Sequence, residues 1–526
     1  MPHFSPILFG LAFATLVVAL TAFGRRLPIP APLLQVLAGL AVGFVPGVEM
    51  PTLDPDVVFF VFLPPILWAA AFFTSFREFT ANRRAIGGLA VGLVLATTAV
   101  VAVLIRMFIP DMPWAVAVAL GAIVSPPDAV AATAVVSRLP VPGRVIVILE
   151  GESLVNDASA LVLYRTAVAA AVTGAFSFGE ALVRFFLDAG VGVLVGLAVG
   201  WLMIVVARRT RDELAETVLT LAAPYAAWML AETLHVSAVL ACVAGGLYAR
   251  QHLSTAVGPR SRIQSRAVWD LLVFTLNALI FILLGLQFAE LMQKSGVAAF
   301  DGAVKYGVLL GVAVMVVRLI WVPVTTICRE SLRRGRVVTS TAGSWKSMFL
   351  VSWTSMRGIV SLATAFALPL TLDNGARFPY RDEVIIMTMC LILVTLVVQG
   401  LSLAPIIRAF KFVPEAAHHE EEQVARQEAL RRAAEALDDA SREPWADPAD
   451  VEWLRTELRD RQHRHKNASH TSHANHGSRS RLRSRMLDAE RRMLLRLRNE
   501  GAISDEVLRT LESEIDLDTL RLSPSS

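Results

Sequence analysis

From residue 6 to residue 409 the chain is a succession of apolar stretches, most of them about as long as a helix needs to be to cross a lipid bilayer. A hydrocarbon core about 30 Å thick takes a helix of roughly 17–25 residues. Thirteen stretches meet or approach that length, near 6–23, 31–46, 55–74, 85–109, 114–137, 143–173, 180–207, 214–231, 236–250, 267–291, 303–328, 345–370 and 384–409. A backbone in lipid has to satisfy its own hydrogen bonds, so these stretches read as helices. Composition agrees. The chain is 55% hydrophobic and 18% charged, against about 25% charged in a soluble domain. The charge is also uneven: residues 1–411 hold 30 Lys/Arg and 22 Asp/Glu, whereas residues 412–526 hold 19 and 23. The sequence therefore predicts an all-α polytopic membrane protein over 1–411 and a charged, soluble, mostly helical tail over 412–526.

The loops set an orientation. After odd-numbered stretches come Arg25 and Arg26, then Arg77, Arg83 and Arg84, then Arg138 and Arg144. The series continues through Arg208, Arg209 and Arg211, then Arg250, Arg260, Arg262 and Arg266, then Arg329, Arg333, Arg334 and Arg336. The other loops are acidic, nearly uncharged or mixed. Basic loops stay on the cytoplasmic side, which predicts an external N-terminus and a cytoplasmic tail in a cell membrane. The apolar onset lacks a basic leader region, so it reads as a span and not a cleaved signal. The pI near 9.1 follows from these loop arginines and does not point to nucleic acid. Cys242, Cys328 and Cys390 each lie in an apolar stretch and suggest no disulfide framework.

In the tail, 415–440 and 448–462 have helical spacing, and apolar residues recur at helical intervals over 486–515. Between them, 463–485 is rich in His, Ser, Asn and Arg and reads as a disordered linker. Metal binding by His463, His465, His470, His473 and His476 is the alternative. Asn467-Ala468-Ser469 fits a glycosylation acceptor, but on a cytoplasmic tail it would not be used.

Ionisable groups inside spans cost roughly 2.5–3.5 kcal/mol each on insertion scales and mark ion or substrate paths. Three places qualify. Ser125-Pro126-Pro127-Asp128 lies near the middle of the fifth stretch. Tandem prolines remove two donors and clash with the preceding turn, so the helix breaks there; breaks at mid-membrane hold ions in transporters. The bland alternative is a structural kink with Asp128 as a helix cap. In the sixth stretch, Glu150 to Asp157 places Ser153 on a face with Asp157 and Glu152 on a face with Asn156. Stacked hydroxyl, amide and carboxylate oxygens are what a hard alkali cation takes in exchange for water; a purely structural hydrogen-bonding patch is the alternative. The twelfth stretch carries Thr354 to Ser361, with Arg357 at lipid depth before Gly358. Arg357 needs an anion, and Glu152 is the expected partner in a structural ion pair. Arg318 is also intramembrane, with no partner readable from sequence.

Together, Ser125-Pro126-Pro127-Asp128-Ala129-Val130, the Gly151-to-Asp157 run and Met356-Arg357-Gly358 with Ser361-Leu362-Ala363 resemble three signature helices of the sodium/proton exchanger family. Leu63-Pro64-Pro65-Ile66, Leu276-Asn277 and the Phe281-to-Gly285 run fit as well, so the likeness covers roughly residues 5–410. The resemblance implies two inverted repeats with crossing broken helices, and a homodimer. It implies that Asp157 binds cation and proton, with Asn156 and Ser153 beside it, that Asp128 is a second acidic residue at the crossing, and that Ser125, Pro126 and Pro127 contribute there. Sodium, lithium or potassium and protons would be the substrates; no cofactor is implied. The Asn156-Asp157 pair resembles that of members performing electroneutral one-for-one exchange. Two departures stand out. Pro127 occupies a position where many relatives have threonine, and Trp68-Ala69-Ala70 one where some carry a carboxylate.

A potassium/proton antiporter is the nearest alternative. A cation channel would use the same oxygen stripe but pass current. An intramembrane hydrolase would need a nucleophile and base, yet the membrane part holds only His3, His235 and His252, none at a catalytic or metal-ligand spacing.

Overall fold

The structure, a computed structural model, describes residues 29–46, 55–332 and 345–468 and fragments within 15–20 and 486–515, with gaps at 75, 137–138, 175–177, 211, 295–296 and 413–415. Most of the first predicted span, most of the histidine-rich linker and most of the last tail helix lie outside the described residues. Two compact units result, Met1–Pro414 and Glu415–Ser526.

The first unit is helical almost throughout. Its helices are α1 (Ala31–Gly43), α2 (Pro55–Phe73), α3 (Phe76–Gly87), α4 (Val94–Phe108), α5 (Trp114–Val124), α6 (Ala129–Val136), α7 (Gly143–Thr173) and α8 (Phe178–Ala207). They continue with α9 (Glu213–Thr233), α10 (Ala238–Ala256), α11 (Pro259–Lys294), α12 (Val297–Leu332), α13 (Trp345–Trp353), α14 (Ile359–Phe366) and α15 (Arg381–Phe410). The second unit contains α16 (Ala416–Ala440) and α17 (Pro448–Ala468). The expected linker therefore starts in helix, since α17 continues past 463 to Ala468.

Among the described residues six helices are long and apolar enough to cross a membrane, and three shorter apolar helices accompany them. Their outward faces stay apolar. On α12, Val308, Val312, Val316, Ile320 and Val324 are all exposed at four-residue spacing, a stripe that water would penalise and lipid tails accept. Inside, helices approach closely over glycine. A Cβ on Gly39 of α1 would lie 2.0 Å from the Ile282 carbonyl of α11, and one on Gly285 of α11 would lie 2.1 Å from the Val36 carbonyl. Small residues at such crossings let backbones meet where lipid offers no hydrophobic drive.

Tandem prolines have two outcomes here. Pro64 and Pro65 lie inside the continuous helix α2. The Val61 carbonyl, which Pro65 cannot serve, accepts a hydrogen bond from the Tyr225 hydroxyl of α9 at 3.3 Å. Pro126 and Pro127, by contrast, end α5 at Val124, and helix resumes only at Ala129. The stretch over 345–370 is likewise interrupted, between Trp353 and Ile359. A further irregularity had no sequence signal: α3 and α4 are joined by a π-helical turn, Gly88–Leu93. Its Gly88 carbonyl accepts from the Trp321 indole at 3.2 Å, which holds the bulge against α12.

Candidate functional site

The two interruptions meet. The Asp128 N–H, freed by the proline break, donates to the Met356 carbonyl at 2.7 Å. Arg357 returns the exchange: its Nε donates to the Val124 carbonyl at 2.9 Å and its Nη2 to the Ser125 carbonyl at 3.1 Å, with Nη1 on the Ser355 carbonyl and hydroxyl. A guanidinium thus caps the carbonyl end of α5, where the helix dipole favours a cation. The other half-helix is closed the same way, since Arg381 donates to the Phe366 and Leu368 carbonyls at 3.0 and 2.9 Å. On the 354–358 side, the Ser355 N–H donates to Gln399 Oε1 at 3.3 Å and the Arg357 N–H to Thr395 Oγ1 at 3.2 Å, both from α15. The bonds from Arg357 to the Val124 and Ser125 carbonyls, and those made by the Asp128, Ser355 and Arg357 N–H groups, replace helical bonds that the breaks removed.

Gly358 is required by this crossing. A Cβ there would fall 1.7 Å from Asp128 Oδ2, so the carboxylate occupies the room that any other residue would need. It sits at the start of α6 and against the start of α14, two ends where backbone N–H groups favour negative charge.

The long helix α7 crosses beside these breaks. Asn156, fully buried, donates from Nδ2 to the Pro127 carbonyl at 3.2 Å. That carbonyl can only accept, so the amide nitrogen must face it and Oδ1 faces away; Oδ1 is buried and has no hydrogen-bond partner. Asp157 is buried as well, and among the described residues no Lys, Arg or His pairs with its carboxylate. Asp157, Ser153, Asp128, Pro126 and Pro127 line one cavity of about 470 Å³. Ser125 is buried outside that lining, its hydroxyl donating to the Ala122 carbonyl at 3.0 Å.

One expectation is corrected. Glu152 does not pair with Arg357. Its two oxygens take Arg318 of α12 end-on, Oε2 from Nη2 at 2.6 Å and Oε1 from Nη1, while Arg318 Nε donates to the Val351 carbonyl at 3.0 Å. Both side chains are fully buried. Two buried arginines competed for one carboxylate; the bidentate fork from α12 reaches it, and Arg357 is used up by freed carbonyls.

The cavity also shows residues that sequence reading did not assign. Glu150 lies seven residues before Asp157 on α7, and Asp270 seven before Asn277 on α11; all four line the cavity. Seven residues is two turns, about 10 Å, so the cavity runs from the crossing toward the ends of α7 and α11 that follow basic loops. The shared heptad spacing of Glu150 and Asp157 was a readable signal; the approach of α11 was not. Ser361 adds a 1%-exposed hydroxyl without a partner to the lining. Ala69 and Ala70 face the cavity while Trp68 is buried against Gly245, so the wall there is methyl. Among the described residues no group of three His, Cys, Asp or Glu is arranged to hold a metal ion.

Two interrupted helices that meet beside a carboxylate-lined cavity are an arrangement that secondary transporters use. A family profile described as "Sodium/hydrogen exchanger, transmembrane" matches residues 12–409, and the chain belongs to that family: it is a multi-pass membrane transporter and not an enzyme. It is 34% identical over 532 residues to an uncharacterised Na(+)/H(+) exchanger of Mycobacterium tuberculosis, covering 98% of this chain and 97% of that one. It is 33% identical over 404 residues to a "Sodium, potassium, lithium and rubidium/H(+) antiporter" of Bacillus subtilis, covering 74% of this chain and 59% of the other. The fold is similar to that of the sodium proton antiporter MjNhaP1 from Methanocaldococcus jannaschii, with TM-score 0.62 at 20% identity over 79% of this chain and all of that one.

Proposed function

We propose that the chain exchanges a monovalent cation, sodium first, for one proton across the cell membrane by letting both compete for the Asp157 carboxylate. The observation that carries this reading is the shared cavity. Asp157, Ser153 and Asp128 line it, and among the described residues no protein cation neutralises Asp157. A buried carboxylate without a counter-charge is costly to carry across lipid empty, so it moves loaded, either with a proton or with a cation. Competition alone then couples the two fluxes, and alternating access needs no further device. Asp128, Ser153, the buried oxygen of Asn156 and the Pro126 carbonyl supply oxygens to the cation, while the Ser125 carbonyl is held by Arg357. Pro127 contributes only its carbonyl, which Asn156 already partly occupies. The cage therefore offers one hydroxyl ligand fewer than one with threonine at that position.

In the same reading the membrane unit has thirteen spans in two inverted repeats, with α5–α6 and α13–α14 as the crossing broken helices, and works as a homodimer. Its N-terminus faces out, its tail faces the cytoplasm, and Asn156 at the position before Asp157 makes exchange electroneutral.

Everted membrane vesicles with an acid-inside gradient, reported by a quenched dye, test this directly. Sodium, lithium or potassium should restore fluorescence with the native protein and fail to do so with Asp157→Asn present at equal abundance. Undiminished exchange in that variant would overturn the assignment. Potassium as the main substrate is the second reading. It is favoured by the range of ions for which the Bacillus subtilis relative is named and by the missing hydroxyl at 127, and the same vesicles rank the ions.

A further inference from the structure

A second recess adjoins the cation cavity, sharing Phe73 and Asp270 as a common wall. It measures about 430 Å³ and lies where α10 ends and α11 begins, with α2 and α9 closing it. Three arginines line it: Arg250 from the last turns of α10, and Arg262 and Arg266 from the first turns of α11. Arg262 and Arg266 are four residues apart and share a helix face. Arg262 is anchored, donating to the Val257 carbonyl at 3.0 Å. Arg266 rests over the Phe73 ring, 6.0 Å from its centroid. Among the described residues neither Arg250 nor Arg266 forms an ion pair. The floor is aromatic and dry: Trp68 and Trp269 are buried, and the Trp269 indole is already committed to Thr220 Oγ1 at 3.2 Å.

Three guanidinium groups around one recess, against the single carboxylate of Asp270, leave a concentrated positive charge beside an apolar floor. Scattered cytoplasmic arginines need no ligand, because water screens them. These three are exposed as well, but they line one partly open recess and present planar forks, the geometry that matches phosphate oxygens. The position fits too. Recesses of this kind at the ends of spans, on the basic side of the bilayer, hold anionic headgroups, and the aromatic floor suits a glycerol backbone.

We infer that this recess is a binding site for a phosphate group, carried by an anionic lipid or free in solution. The occupant sits one side chain away from the cation cavity, across Phe73 and Asp270.

Native mass spectrometry of the delipidated full-length protein tests the site without measuring exchange, so its failure and the failure of the antiport reading are separable. Short-chain phosphatidylglycerol and inorganic phosphate are added separately, with Arg250→Gln/Arg266→Gln compared with the native protein and with Arg208→Gln/Arg209→Gln, two exposed arginines outside the recess. An adduct with phosphatidylglycerol assigns the phosphate to a lipid headgroup, and one with inorganic phosphate alone assigns it to a soluble anion. In either case the recess variant should bind roughly tenfold more weakly for each charge-assisted bond lost, while the outside variant binds as the native protein does. Unchanged melting temperature of the recess variant shows that it is folded; if it melts early, Arg266→Lys, which keeps the charge and loses the fork, takes its place with the same expected direction. No adduct with either probe, or equal loss in the outside variant, would overturn the site.

Discussion

Two buried carboxylates lie five residues apart on α7 and have opposite fates. Glu152 is saturated: Arg318 takes both of its oxygens, and the same guanidinium reaches the Val351 carbonyl. Among the described residues Asp157 has no such partner; it opens onto a cavity, beside an Asn156 oxygen that is buried and, among the same residues, unpaired. Nothing in the chemistry of the two side chains distinguishes them. What differs is whether the surroundings complete their bonds. A completed carboxylate holds α7, α12 and α13 together, and an incomplete one is available to an ion that comes and goes.

Substitutions can break or sharpen this contrast. Asp157→Asn is expected to have the largest effect on transport, bringing exchange in vesicles to the level of empty membranes while melting stays at or above the native temperature, because a costly charge has gone. On stability the largest effect belongs to Arg318→Met, which leaves Glu152 buried and alone. Removing one partner of a buried pair costs about 3–5 kcal/mol, read as early melting of the detergent-solubilised protein on a sizing column. Should Arg318→Met melt normally and Asp157→Asn unfold, the contrast would be reversed. Gly358→Ala comes next: its methyl collides with Asp128, and overpacking of this kind costs about 1–3 kcal/mol, together with a raised half-saturating cation concentration. Asn156→Asp sharpens the picture without breaking it, converting exchange that ignores an imposed membrane potential into exchange that responds to it. The smallest effect is expected at the exposed Arg165–Glu232 pair, 3.0 Å apart; Arg165→Ala should shift stability by no more than about 1 kcal/mol and leave transport alone.

Much of this was legible in the sequence, and the rest was not for physical reasons. The broken helix at 125–128 announced itself because two prolines and a carboxylate at mid-span leave a helix little choice. Pro64-Pro65 carries the same pair, yet α2 runs on, and Tyr225 serves one of the two carbonyls that they orphan; no local pattern reports a hydroxyl 164 positions along the chain. The expected Glu152–Arg357 pair is corrected to Glu152–Arg318 on the same ground. Spacing along α7 names the face on which Glu152 sits, but which guanidinium arrives there depends on how α12 and the 354–358 break pack. Arg357 looked like a charge in search of an anion. It turned out to be spent on the carbonyls of Val124 and Ser125, acceptors that exist only once the two breaks cross. The cavity lining divides in the same way: Ser153 and Asp157 follow from helical spacing, whereas Asp270 and Asn277 enter only because α11 lies alongside.

The central claim is that proton and cation occupy one carboxylate in turn, and the dependence of sodium half-saturation on pH tests it most directly. Initial rates of sodium-driven proton release would be followed in proteoliposomes holding the purified protein, across a series of pH values. Competition at Asp157 predicts that the half-saturating sodium concentration climbs in proportion to proton concentration on the acidic side, with the maximal rate at saturating sodium unchanged. A half-saturating concentration that stays constant while the maximal rate falls with acid would mean that proton and cation bind at separate places, and would contradict the account.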